Sequence, residues 1–147
     1  VNAAAARSGC ELCEQPGGLL IRQSDEWRCV RVADPAFPAF YRVIWNRHVA
    51  EFTDLDPAAR QRCMAAVSVV EEALRAALRP TKVNLASLGN VVAHLHWHVI
   101  ARFDWDSRFP QPVWAPVERV VEPPATERLP LALDALDTRI KQALAGL

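Results

Sequence analysis

The stretch that decides the reading is His94-Leu95-His96-Trp97-His98-Val99-Ile100, in which apolar residues alternate with three imidazoles. Successive side chains of a strand point to opposite faces, so the three histidines share one face while Leu95, Trp97 and Val99 turn toward a core. Neighbouring histidines on that face are about 7 Å apart along the backbone, at a rise of ~3.3 Å per residue. They can converge on one phosphate, or two can reach toward neighbouring ligands. A catalytic zinc held by two histidines at i and i+2, with a third ligand elsewhere, fits the same spacing as histidine nucleophilic catalysis does. Periodicity alone does not separate the two. A half-exposed strand with incidental histidines is the third reading, and it must place three of the chain's four histidines at strict period two within seven residues.

Working outward, Lys82-Val83-Asn84-Leu85 reads as a strand before the histidine strand, which spans His94 to Arg102, with a connection containing Gly89-Asn90. Upstream, Asp56-Pro57 has the form of an N-cap followed by proline in the first turn. Met64, Val67, Val70, Leu74 and Leu78 then recur at helical spacing until Pro80 stops them. Arg60, Glu71, Glu72, Arg75 and Arg79 are its solvated side. Leu19-Leu20-Ile21, Trp27 to Val32 and Phe40 to Trp45 read as three further strands, antiparallel neighbours separated by Ser24-Asp25-Glu26 and Asp34-Pro35. Downstream, residues 109–130 hold six prolines and predict an extended arm without regular helix that hugs its own domain. Leu129, Leu133, Leu136, Ile140, Leu144 and Leu147 line one side of a terminal amphipathic helix over residues 131–146, with no basic excess to suit a membrane surface.

The chain has 147 residues, 17 basic and 17 acidic, and is 51% hydrophobic, a length and balance that support one globular domain over 1–147 and exclude a largely disordered chain. Zero net charge provides no broad field for a nucleic acid or an anionic membrane, so any anionic ligand must be bound by a local site. No apolar run approaches the ~20 residues of a membrane span, and the opening Val1 to Ser8 lacks a signal peptide's apolar region. The expectation is a cytoplasmic protein; the first few residues are set aside from fold reasoning. In that compartment Cys10-Glu11-Leu12-Cys13 reads as a metal pair rather than a disulfide, and Cys29 and Cys63, among apolar neighbours, read as inert core thiols.

The seven residues His94 to Ile100 match, at every position, the His-φ-His-φ-His-φ-φ signature of the histidine triad (HIT) superfamily of nucleotide hydrolases and transferases. Asn46-Arg47-His48-Val49, with Thr53-Asp54-Leu55 and the helix after it, resembles the family's Lys-Arg-His-Val segment. Asn84 and Gly89-Asn90 resemble its Asn and Gly-Gln positions. The resemblance covers about residues 10–103. It implies an α+β fold, an antiparallel sheet of about five strands with one long helix, here joined by the C-terminal amphipathic helix, and assembly as a homodimer.

It also implies chemistry at the α-phosphorus of a nucleotide, with His96 as the nucleophile that becomes nucleotidylated. His98 would hydrogen-bond the phosphoryl oxygens and the bridging atom, and Asn84 and Asn90 are candidate donors to ribose or phosphate. Some members, and the related galactose-1-phosphate uridylyltransferases, bind a structural zinc. By that resemblance Cys10, Cys13, His48 and His94 would hold one here, a closed shell with no open position for water. The substrates implied are dinucleoside polyphosphates, nucleoside phosphoramidates or nucleotidylated small molecules. Two departures remove polar contacts: Phe40 stands where many members have a histidine, and Val91 where a hydroxyl residue often touches phosphate. They motivate an alternative, a catalytically weak nucleotide-binding sensor or interaction module.

Overall fold

The computed structural model describes residues 6–147; the opening residues 1–5, set aside above, lie outside the described residues. Five strands form one antiparallel sheet: β1 (Leu19–Gln23), β2 (Trp27–Arg31), β3 (Phe40–Trp45), β4 (Lys82–Ala86) and β5 (His96–Arg102), in the order β1-β2-β3-β5-β4. The histidine strand thus lies inside the sheet, and β4 is an edge. The β1–β2 hairpin is closed by Ser24, whose Oγ accepts from the amides of Glu26 and Trp27.

Alternation sorts the sheet into two faces. Cys29, Tyr41, Val43, Val99 and Ala101 are buried in the main core with the long helix α2 (Pro57–Leu78) and the terminal helix α4 (Leu133–Leu144). Asp56 caps α2 by accepting from the Ala59 amide at 2.8 Å, Pro57 occupies its first position, and Arg79 ends it in the left-handed region at φ 49°. Its buried stripe is Ala59, Cys63, Ala66, Val67, Val70, Leu74 and Leu78, each large aliphatic residue contributing about 2 kcal/mol by burial. Leu136, Ile140 and Leu144 bring α4 into the same core, and Asp137 fastens it by accepting from Arg31 Nε at 2.9 Å and Tyr41 Oη at 2.7 Å.

Arg28, Val30, Arg42, Ile44, His96, His98 and Ile100 occupy the alternate positions, on the other face. Two separate covers lie over that face. The short helix α1 (Glu11–Glu14) packs Cys10 and Leu12 on Val30 and Ile44, while Val113 of the proline-rich arm packs with Phe37, Phe40 and Ile100.

The structure differs from the sequence reading at several boundaries. β5 begins at His96, not His94, because the His94 amide turns back to the Val92 carbonyl. The arm contains one helical turn, α3 (Ala125–Arg128), which starts directly after Pro124, where a missing N–H and a fixed φ cost nothing. The terminal helix runs Leu133–Leu144 within the expected 131–146. Among the described residues, no helix is long and apolar enough to cross a membrane.

Candidate active site and metal centre

The three triad histidines part company. His94, just before β5, turns its Nδ1 to within 3.4 Å of Cys10 Sγ and 3.5 Å of Cys13 Sγ, and His48 Nδ1 lies 3.5 Å from Cys13 Sγ. All four ligand atoms fall within 4.8 Å of one another. A tetrahedral zinc with Zn–S of ~2.3 Å and Zn–N of ~2.05 Å would put sulfur and nitrogen about 3.6 Å apart, so the observed separations fit that ion. His94 Nε2 is 2.6 Å from the Trp45 carbonyl. With the proton on Nε2, donated to that oxygen, Nδ1 keeps its lone pair for a metal. The donor set, two sulfurs and two imidazoles, is complete without water.

Local sequence explains how the cysteines reach the sheet. Cys10 is the N-cap of α1 and Cys13 lies one turn on, so both sulfurs fall on one side of a single turn. The turn is clamped by Arg28 from β2. Its guanidinium donates to the carbonyls of Leu12 at 2.6 Å, Pro16 at 3.0 Å and Gln15 at 3.2 Å, and to Asn46 Oδ1 at 3.3 Å. Gly17, at φ 84°, completes the approach: a Cβ there would stand 2.7 Å from Leu12 Cδ2 and 2.9 Å from Ile44 Cδ1.

His96 and His98 face a different place, a hollow of about 540 Å³ between the two covers, with Leu12 on one side and Trp114 on the other. Their ring centroids are 4.9 Å apart at 82°. His96 Nδ1 is 2.6 Å from the His94 carbonyl, so a proton on Nδ1 is held there and Nε2 is left with a free lone pair. His98 Nδ1 is buried without a partner. Burial holds both rings below the ordinary 6.5, His98 down to about 4, with the neighbouring His96 and then Arg42 adding to the effect on His98. Both imidazoles are therefore neutral at pH 7, the form in which nitrogen is nucleophilic. Phe40 stands 5.2 Å from the His98 ring, edge to face, and Trp114 5.9 Å from it.

Of the expected polar contacts, Asn90 lies exposed on the rim of this hollow beside Val91, which is 97% exposed. Asn84 is not in it. On β4 its Oδ1 accepts from Arg102 Nη1 at 2.8 Å, and it lines an adjoining groove that shares only Trp114 with the histidine hollow. Arg102 is itself spent on Asp106, with both side chains 2% exposed. Sequence reasoning missed Arg28, Arg42 and Trp114. An arginine inside an apolar strand carries no local signal of what it faces, and Trp114 sits in an arm whose path no periodicity describes.

The HIT domain family model matches residues 15–105. A comparison with curated protein sequences gives no match. Among solved structures, a histidine triad protein from Bradyrhizobium japonicum is 27% identical with a TM-score of 0.73, the match covering 95% of this chain and 98% of that one. One from Sinorhizobium meliloti is 26% identical with a TM-score of 0.69, covering 90% and 93%. A Zn-bound histidine triad family protein from Mycobacterium smegmatis shares the fold at 18% identity and a TM-score of 0.60, over 94% of each chain.

Proposed function

Because the chain belongs to the HIT domain family, we propose that it is a nucleotide phosphate hydrolase or nucleotidyltransferase that works through a covalent nucleotidyl-His96. The observation that carries this reading is the Nδ1 contact of His96 with the His94 carbonyl, which leaves Nε2 of a neutral ring free beside an open hollow. The lone pair of Nε2 forms a bond to the α-phosphorus as the bond from phosphorus to the leaving group breaks; a polyphosphate departs as the anion, and an amine departs with a proton taken from water. Water or another acceptor then attacks the same phosphorus, gives up a proton, and releases the nucleotide and His96. His98 hydrogen-bonds the phosphoryl oxygens and the bridging atom, stabilising charge that builds up in transfer.

Asn90 on the rim would donate to ribose or phosphate. Asn84 would serve only a part of the substrate that extends past Trp114 into the adjoining groove. Cys10, Cys13, His48 and His94 would hold the structural zinc, which supplies rigidity and no open coordination position. The Zn-bound relative from Mycobacterium smegmatis and the tetrahedral fit of the ligand atoms support that role. The reading includes a homodimer in the cytoplasm. β4 is an edge of the sheet and exposes Leu85, which suits a second copy.

The substrate class is dinucleoside polyphosphates or nucleoside phosphoramidates. Incubating wild type, His96→Ala and His96→Gly with a labelled panel of both, in adenosine and guanosine forms, tests it. Turnover by wild type alone is expected, and turnover undiminished in His96→Ala would overturn the nucleophile. The second reading, a nucleotide-binding sensor or interaction module with little catalysis, is favoured by Phe40 packed against His98. Nucleotide binding without turnover or adduct in wild type would select it.

A further inference from the structure

A nucleotide phosphate set against the His96 and His98 rings brings negative charge into the hollow. Among the described residues lining the hollow, Arg42 is the one permanent cation. We propose that Arg42 is the anion-binding residue of the site, donating to phosphate oxygens of a nucleotide held between His96 and His98. The inference rests on the nucleotide reading above and adds to it a residue that neither the triad pattern nor the metal set contains.

Arg42 lies on β3 directly opposite His98 in the β3–β5 ladder, so the two side chains leave the same face of the sheet. Its guanidinium carbon stands 5.8 Å from the centroid of Phe40, the ring that also packs on His98. Phe40 thus gives the guanidinium a flat side to lie on, in place of a polar contact. One bond ties the group to the protein, from Nη1 to the Gly17 carbonyl at 3.2 Å. The Nε atom is buried with no partner, and among the described residues Arg42 makes no ion pair.

The chain's two buried arginines, Arg28 and Arg102, set half-buried Arg42 apart. Arg28 reaches three carbonyls and an amide oxygen, and Arg102 makes two bonds to Asp106 and one each to Asn84 and the Gln111 carbonyl. Those two are structural and satisfied. Arg42 retains donors unspent in a partly desolvated place, a costly arrangement unless an anion completes it. A planar guanidinium with adjacent N–H groups matches two oxygens of a phosphate. Glu11, the one carboxylate lining the hollow, is exposed to water and screened. The neutral overall charge of the chain leaves this local cation as the way to hold the ligand's charge.

The test compares affinities of the zinc-replete protein for AMP and GMP with those for adenosine and guanosine, by calorimetry, in wild type, Arg42→Met, Arg42→Gln and Arg42→Lys. Wild type is expected to prefer the nucleotides. Arg42→Met and Arg42→Gln should lose about 10- to 100-fold of nucleotide affinity, the range of a charge-assisted contact, with nucleoside affinity unchanged. Arg42→Lys should recover part of the loss. Arg42→Gln keeps a donor near Gly17 and serves if Arg42→Met fails to fold; melting temperature and zinc content identify that case. A nucleotide preference that survives both neutral variants overturns the proposal and leaves the nucleotide reading intact. Equal losses for nucleotide and nucleoside assign Arg42 to structure alone and overturn it too. Wild type that binds neither ligand overturns the nucleotide reading, and this inference with it.

Discussion

Acidification should destabilise this fold through His98, and the size of the effect follows from where the ring sits. His98 is 6% exposed, and burial, then His96, then Arg42, lower its pKa from the ordinary 6.5 to about 4. In the unfolded chain the ring takes up a proton as pH falls through 6.5, whereas in the folded protein it stays neutral until about pH 4. Between those values the unfolded state binds more protons, so stability rises with pH across the window. The contribution is intact above pH 7, is lost progressively from 6.5 down to about 4, and changes no further below that. At about 1.4 kcal/mol per pH unit the interval amounts to about 3 kcal/mol. Urea unfolding of wild type and His98→Gln across pH 3.5 to 8 isolates it, because glutamine does not titrate and proton uptake by the metal ligands is common to both. The difference between the two stabilities should be flat above pH 7 and shift by about 3 kcal/mol against wild type by pH 4. Parallel curves throughout would refute a desolvated, neutral His98.

Thiol reactivity follows the metal assignment. Burial pushes Cys63 up to about 11 and Cys29 higher still, so a thiol reagent at pH 7.5 should modify no cysteine quickly in zinc-replete protein, Cys10 and Cys13 after chelation, and all four once unfolded. Fast modification of Cys10 and Cys13 without chelator, and with no metal released, would contradict it. Asp106→Ala leaves the 2%-exposed Arg102 without its counter-charge and should cost about 3 kcal/mol in urea unfolding, a loss under 1 kcal/mol arguing against a buried pair.

How much of this was legible depends on whether a residue's signal is local. The period-two histidines announce themselves because strand alternation is a property of seven consecutive residues, and α2 because Asp56-Pro57 and Pro80 bracket its stripe. The metal set combines a local pair with two distant histidines, and the family resemblance joined them before any distance did. What stayed hidden depends on register. His94 leaves the other two histidines because the chain turns back at Val92, a backbone bond with no side-chain signature. Arg42 acquires meaning only once β3 is set beside β5 with His98 opposite it. Asn84 faces the adjoining groove because Arg102, 18 positions later, claims its carbonyl. The turn of helix in the arm is masked in the sequence because the prolines that exclude helix from its own interior favour the start of one.

The proposed function stands on a bond between His96 and the α-phosphorus. Protein mixed with diadenosine tetraphosphate or an adenosine phosphoramidate, quenched in alkali within the first turnover and digested for peptide mass mapping, tests it directly. One nucleotidyl group on the peptide carrying His96, forming as fast as turnover and missing from His96→Ala, is the result expected. Turnover with His96 unmodified, or with the nucleotidyl group on another residue, would contradict the account.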